Sequence, residues 1–199
     1  MDAVRVSALR AQLTGTDWLE AVGGFAGSLR HAVSRRGACE LLLVGTEEYE
    51  PWHLAAHLDD EAAWSDVPRL APTLLRHRVP ARAPAHLAHD LRRLSEAGRR
   101  ATVLVVAPTA AGAPLLERVH DARRGGATVL AVDGPAEQGE LAGLAHERLA
   151  VGTAEEEPFD LAQHLVSAAA GQAPARRGPL DRLAALAGRL TAGPGLSRW

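Results

Sequence analysis

The sequence predicts an α/β fold, a three-layer α-β-α sandwich with a parallel, doubly wound sheet. Short apolar runs at 40–44, 101–107 and 127–132 are typical of strands buried on both faces. Helical patterns separate these runs, and strands that alternate with helices pair in parallel. A chain of 199 residues that is 47% hydrophobic can bury the core that such a fold needs.

Residues 1–36 are expected to form an N-terminal helical segment. They contain no proline, and apolar residues recur at helical spacing from Val6 to Val33. Glycines at positions 15, 23 and 24 interrupt this pattern, so we expect either two helices or one broken helix. Gly37 is suited to end the segment.

The first strand, 40–44 (ELLLV), ends at Gly45. A polar loop follows at 46–51, and 52–64 has the pattern of a helix. Residues 65–86 contain four prolines, so they predict turns around one short strand near 75–79.

A further helix is expected at 86–97, ending at Gly98. The clearest unit then begins with the strand at 101–107. A helix at 114–124 follows it and has proline at its first position. The next strand, 127–132, completes a right-handed β-α-β crossover.

The same alternation continues more weakly, with a helix at 137–145, a strand at 148–151 and a last helix at 158–170. The α/β domain is therefore expected to span 37–171. Residues 172–199 read as a linker followed by an amphipathic helix at 179–192 and a tail.

Composition excludes several classes of partner. The net charge of −2 and the 4% aromatic content do not favour nucleic acid. No apolar run is long enough to span a bilayer, and the first residues lack a signal stretch, so no membrane partner is expected. A single cysteine fits a reducing compartment, and we expect a cytoplasmic protein without a cofactor.

Two segments resemble the SIS (sugar isomerase) family of phosphosugar isomerases and binding domains, within a match over roughly 17–170. The stronger segment is TVLVVAPTAAGAPLLERVHDARRGGATVLAVDG, and the second is ELLLVGTEEYEPWHLAAHL. The resemblance implies the flavodoxin-like sheet of SIS domains, a sugar phosphate ligand, and a homodimer or higher homo-oligomer.

The resemblance also implies that two loops hold the substrate. The residues expected to bind it are Gly45, Thr46, Thr109, Ala110, Ala111 and Gly112. Thr109 matches the first hydroxyl of the family's phosphate loop and Gly112 its glycine, whereas Ala111 and Pro114 stand where further hydroxyls are usual. The phosphate loop is therefore degenerate, although helix N-terminal amides nearby can bind an anion.

Proton abstraction next to a carbonyl requires a positioned base. Glu47 and Glu48 follow the first strand, with Glu50 close by, and they are the catalytic candidates together with His57 or His164 as acid–base partner. The alternatives are an exposed acidic loop and two histidines on helix surfaces.

Two clusters have a less specific meaning. His53 and His57 share a helix face at the i, i+4 spacing that can hold a metal, but no third ligand is evident, so no metal site is expected. Arg76, His77 and Arg78 could fold back over the pocket and supply positive charge, or they could be solvated.

These features favour an enzyme that acts on a sugar phosphate or amino-sugar phosphate, as an isomerase or as a dehydratase or lyase. A non-catalytic SIS module that binds or senses a phosphosugar is the alternative. A structural partner that kept the fold and lost the ligand is a third possibility.

Overall fold

The computed structural model describes residues 17–134, 139–151 and 158–172. The expectations for 1–16 and for a helix at 179–192 lie outside the described residues. The described chain contains one five-stranded sheet in which every pair of neighbouring strands is parallel. Its strands are β1 (Glu40–Val44), β2 (Pro72–Leu75), β3 (Ala101–Ala107), β4 (Thr128–Asp133) and β5 (Glu147–Ala150).

Helices cover both faces of this sheet. They are α1 (Asp17–Ser34), α2 (Trp52–Trp64), α3 (Arg92–Ser95), α4 (Ala113–Arg124), α5 (Glu140–Leu144) and α6 (Pro158–Gly171). Two single turns of 3₁₀ helix lie at Pro68–Leu70 and Ala85–Leu87.

Side chains of the sheet alternate between two apolar cores. In β1, Leu41 and Leu43 face the core under α1, α2 and α6, whereas Leu42 and Val44 face the core under α3, α4 and α5. All four side chains are buried, as expected for a parallel strand with helices on both sides. The predicted three-layer α-β-α sandwich is therefore confirmed.

Helix α1 is part of this fold and is continuous. Phe25 and Leu29 are buried in the first core, and the Arg30 guanidinium donates to the carbonyls of Ala170 and Gly171 at the end of α6. A break at the glycine pair is therefore wrong, because packing of the buried stripe outweighs the low helix propensity of glycine. The alternative of two helices that meet near Gly15 stays a prediction, since residues 1–16 lie outside the described residues.

The segment between α2 and β3 differs most from expectation. Strand β2 comes earlier than the predicted 75–79, since Leu74 and Leu75 pair with the end of β1. The predicted helix at 86–97 is reduced to a 3₁₀ turn and α3, because Arg76 forms a parallel bridge with Asp90 that keeps the chain extended there. The Asp90 carboxylate then accepts from the amide of Arg92, which starts α3.

The strand order is β2-β1-β3-β4-β5. The chain moves outward from β1 to β2 and then crosses back to β3, so the order reverses between β1 and β3. Ligands of doubly wound sheets bind beyond the carboxyl ends of the strands, near such a reversal. The loops that leave β1 and β3 therefore frame the candidate site. Within the described ranges, no helix combines the length and the apolar character that crossing a bilayer requires.

Candidate functional site

A cavity of about 810 Å³ opens beyond the carboxyl ends of β3 and β4. Its wall includes Thr109, Ala110 and Ala111, three of the residues expected to bind substrate. Gly112 does not line the cavity but occupies the N-cap of α4, where no side chain caps the helix. In this first turn Pro114 has no N–H, and the amides of Leu115 and Leu116 donate to the Gly112 carbonyl. The Ala113 amide is therefore the donor that the start of α4 can offer to a ligand at the edge of this cavity.

Asp133 lines the same cavity and was not singled out from the sequence. It ends β4 and is only 6% exposed. The Arg148 guanidinium donates from Nε to both of its carboxylate oxygens, at 2.8 Å. Burial raises the pKa of Asp133 above its ordinary value, and the contact with Arg148 acts in the opposite direction. An aspartate that ends an otherwise apolar strand is the signal that could have identified it.

Gly45 and Thr46 lie at the end of β1, and both are buried. A Cβ atom at Gly45 would overlap the carbonyl oxygen of Tyr49, so the loop can fold back only over a glycine. The Gly45 carbonyl oxygen lies 3.0 Å from Nε2 of His77. The Thr46 hydroxyl has no hydrogen-bond partner among the described residues.

A second cavity, of about 610 Å³, lies over the loop after β1. Its walls combine the acidic loop with the basic cluster of the sequence analysis: Glu47, Glu48, Glu50, Arg76, His77 and Arg78, together with Pro80. The basic cluster therefore does fold back over the loop that follows β1. The cavity has both carboxylates and guanidinium groups in its walls.

The glutamates of this second cavity are not equivalent. Glu50 binds Arg76 through an ion pair of 3.0 Å and accepts from the Trp52 indole at 2.7 Å. Glu47 pairs with Arg78 at 2.6 Å, although both side chains are largely exposed. Glu48 is exposed and forms no ion pair with any of the described residues. Glu48 is thus the carboxylate of this cavity that is most available to a ligand, because no arginine already occupies it.

The predicted phosphate loop and the predicted bases lie in separate cavities. Glu47 and Glu48 do not line the cavity at Thr109. The two cavities belong to the neighbouring strands β1 and β3, on either side of the reversal in strand order.

His57 and His164 are brought together, but at neither cavity. Their ring centroids are 3.9 Å apart, and the His53 ring joins them at 4.6 Å from His57 and 5.6 Å from His164. The Nε2 atoms of His53 and His57 are 2.8 Å apart. The three rings lie between α2 and α6, so His164 adds a third imidazole to the His53 and His57 pair.

The histidine cluster disfavours the charged imidazolium. Burial lowers the pKa of His57, and His53 lowers it further. Burial also lowers the pKa of His164, with added repulsion from His57 and His53. The Nδ1 atom of His164 is buried and has no hydrogen-bond partner among the described residues.

Tyr49 connects the loop after β1 to α6. Its hydroxyl accepts from the side-chain amide of Gln163 at 2.8 Å, and its ring meets Phe159 edge to face. Gln163 is fully buried, so this hydrogen bond is shielded from water. Burial raises the pKa of Tyr49, which keeps its hydroxyl protonated.

Solved structures resemble this chain, and three of them come from the following proteins. A protein of Salmonella typhimurium LT2 named for sugar binding matches with a TM-score of 0.55 and 18% identity, over 92% of this chain and 51% of its own. A protein of Silicibacter pomeroyi DSS-3 named as a phosphosugar isomerase matches with a TM-score of 0.50 and 19% identity, over 90% of this chain and 50% of its own. The Vibrio vulnificus NanR protein, solved with ManNAc-6P, matches with a TM-score of 0.50 and 13% identity, over 97% of this chain and 71% of its own.

The chain has the SIS-domain fold. The chain spans about half the length of the Salmonella and Silicibacter proteins. No protein-family model matches the chain, and no curated protein matches its sequence. The SIS fold predicted from the two sequence segments is confirmed by the structures.

Proposed function

We propose that this SIS domain binds a sugar phosphate at the carboxyl ends of β3 and β4. The observation that carries the proposal is the cavity of about 810 Å³ over Thr109 and the uncapped start of α4. Its size suits a small ligand, because such sites usually measure about 300–1,000 Å³.

The phosphate group is assigned to the loop at Thr109. The Thr109 hydroxyl is exposed and can donate, and the Ala113 amide at the positive end of the α4 dipole can supply a further donor. The sugar then faces Asp133, whose buried carboxylate can accept from a hydroxyl or amino group while Arg148 holds it in place.

The test is thermal unfolding with ManNAc-6P, the ligand of the NanR structure, and with a panel of other hexose and aminohexose phosphates. A ligand present at a hundredfold excess over its Kd should raise the Tm by roughly 5–10 °C. The unphosphorylated sugar and inorganic phosphate should have a much smaller effect. Absence of a shift with every sugar phosphate would contradict the proposal.

Two threonine variants localise the binding. Thr109→Val removes the hydroxyl from the cavity and should weaken binding roughly tenfold or more, the loss expected for one hydrogen bond to a charged group. Thr102→Val makes the same change inside β3, where the hydroxyl is buried and has no partner among the described residues. It should leave binding unchanged, so equal losses in both variants would show that the Thr109 hydroxyl has no specific role.

Catalysis is a second candidate function, and one observation favours it. Glu48 lies in the neighbouring cavity without a recorded ion pair in the described part of the chain, so its carboxylate can act as a base. Such an enzyme would have to hold its sugar phosphate across the two neighbouring cavities, since Glu48 does not line the one at Thr109. Glu48 would then remove a proton next to the carbonyl, which leads to isomerisation or loss of water.

Nuclear magnetic resonance of sugar phosphates incubated with the protein distinguishes the two functions. If the protein is an enzyme, Glu48→Gln should lower turnover by at least about a hundredfold and keep the Tm shift. Glu96→Gln, an exposed change on the amino-end side of the sheet, should change neither. No conversion of any stabilising ligand would reject catalysis and leave the binding module.

A further inference from the structure

Three imidazole rings converge between α2 and α6 although nothing in the proposed sugar phosphate site requires them. The ring nitrogens that His53, His57 and His164 can offer all lie within 4.8 Å of one another. The cluster mixes one exposed histidine with two that are partly buried. It is therefore reachable from solvent on the His53 side and shielded on the other.

The two helices hold this geometry independently of the rings. His53 and His57 stand one turn apart on α2, whose buried side is anchored by Leu54 and Leu58. In α6, the residues on either side of His164 are buried. Apolar packing of the two helices therefore positions the histidines, in addition to the 2.8 Å contact between the Nε2 atoms of His53 and His57.

The close approach of α2 and α6 continues beyond the rings. At the far end of α6, a Cβ atom at Gly171 would overlap the Glu61 carboxylate of α2. A site made from both helices is thus formed before any ligand arrives.

The cluster carries an unfavourable feature that a cation would relieve. Three imidazoles in contact cannot all be protonated, and the buried Nδ1 of His164 is left without a hydrogen-bond partner among the described residues. Neutral imidazoles present lone pairs, which is the state that metals bind. Asp60 of α2 and Asp160 of α6 add a negative potential at His57 and His164.

We propose that His53, His57 and His164 bind a divalent cation of the zinc type. Three imidazole nitrogens with an open fourth position are a ligand set that Zn²⁺ accepts in proteins. Nitrogen ligands about 2.0–2.1 Å from zinc stand about 3.4 Å apart in a tetrahedron. The Nε2 separation between His53 and His57 is 2.8 Å, and the three ligand atoms lie within 4.8 Å of one another, so small rotations of the rings would bring them to the spacing that zinc needs.

The fourth position faces the exposed His53 side and would hold water or a small anion. The cation would also join α2, which follows the loop of β1, to α6. This makes it a cross-link on one face of the sheet. The site lies apart from both cavities, so the proposal does not rest on sugar phosphate binding.

The test uses the full chain without a histidine tag, freed of metal by a chelator and titrated with Zn²⁺ or Co²⁺. We expect one equivalent to bind and the Tm to rise with Zn²⁺ concentration. Bound Co²⁺ should give the intense visible absorption of a four-coordinate site. No binding at micromolar Zn²⁺, or a six-coordinate Co²⁺ spectrum, would overturn the proposal.

Histidine variants test which side chains bind the cation. His57→Gln and His164→Gln should each weaken Zn²⁺ binding by more than about a hundredfold, since each removes a direct ligand. His53→Gln removes a proposed ligand with the least risk to folding, because His53 is exposed. His120→Gln, an exposed change on α4, is the matched control and should bind like the parent. Unchanged affinity in His53→Gln and His57→Gln together would reject the site.

Discussion

At the scale of single residues, Asp133 combines burial with charge. It is 6% exposed, and its two oxygens are both held by the Arg148 guanidinium. A buried carboxylate is tolerable only while its partner stays in place, because an unpaired charge in the interior is strongly unfavourable. Arg148 therefore fixes the orientation of the Asp133 carboxylate at the cavity wall.

Stability should depend on pH through this pair. The pKa of Asp133 is raised by burial above its ordinary value of 3.8, so the folded protein holds the proton at pH values where the unfolded chain has lost it. The Asp133 contribution to stability is accordingly greatest below pH 3.8 and declines as the pH rises through the raised pKa.

Arg148→Met removes the contact that opposes this rise, so the pKa of Asp133 should increase further. We expect the variant to lose about 1–3 kcal/mol of unfolding free energy at pH 7 and less near pH 4. Urea unfolding at the two pH values measures the difference. Adding Asp133→Asn should recover part of the loss, whereas an equal loss at both pH values would mean that Arg148 acts through packing alone.

At the scale of elements, the loop after β1 depends on one backbone position. Gly45 accommodates the carbonyl of Tyr49, and Tyr49 in turn is hydrogen-bonded to Gln163 of α6. The loop that carries Glu47 and Glu48 is thereby attached both to the sheet and to a helix. The backbone that carries the Glu47 and Glu48 side chains is therefore held in one position.

Gly45→Ala should disrupt this support. The new Cβ would overlap main-chain atoms of Tyr49 and approach Pro51 Cδ at 2.7 Å, and neither can rotate away. We expect a loss of about 1–3 kcal/mol in unfolding free energy, measured by thermal or urea unfolding.

The matched control is Gly24→Ala in α1, where nothing lies within 4 Å of the added atom. It should stabilise the protein by about 0.5–1 kcal/mol, the difference in helix propensity. A Gly45→Ala variant as stable as the parent would show that the loop adjusts easily.

At the scale of the whole molecule, the sequence predicted the centre of the fold better than its periphery. The bounds of β1 and β3 match the predicted runs because these strands are buried on both faces and therefore uniformly apolar. Strand β2 has only four residues and was predicted too late, because its position is set by pairing with β1. Cys39 is exposed, although free cysteine is among the residue types most often buried and this one directly precedes a buried strand.

The site was predictable where it depends on order along the chain. Thr109 lies in the loop of a β-α-β unit, and such loops always meet the carboxyl edge of the sheet. The meeting of His57 with His164 depends on how two distant helices pack, which no local pattern records. The homodimer, the cytoplasmic location and the choice between isomerase, lyase and sensor stay predictions.

The position of β1 has a consequence for synthesis. It lies inside the described sheet, one strand in from the edge strand β2, yet both of its neighbours, β2 and β3, follow it in the chain. On the ribosome, β1 therefore emerges before either strand that pairs with it. Strand β2 becomes available once residue 75 has left the exit tunnel, and pairing on both sides of β1 waits until residue 107 has left it. Nascent chains with late, non-local pairing fold slowly and expose apolar surface meanwhile. Production of this protein should accordingly benefit from slow translation or added chaperones.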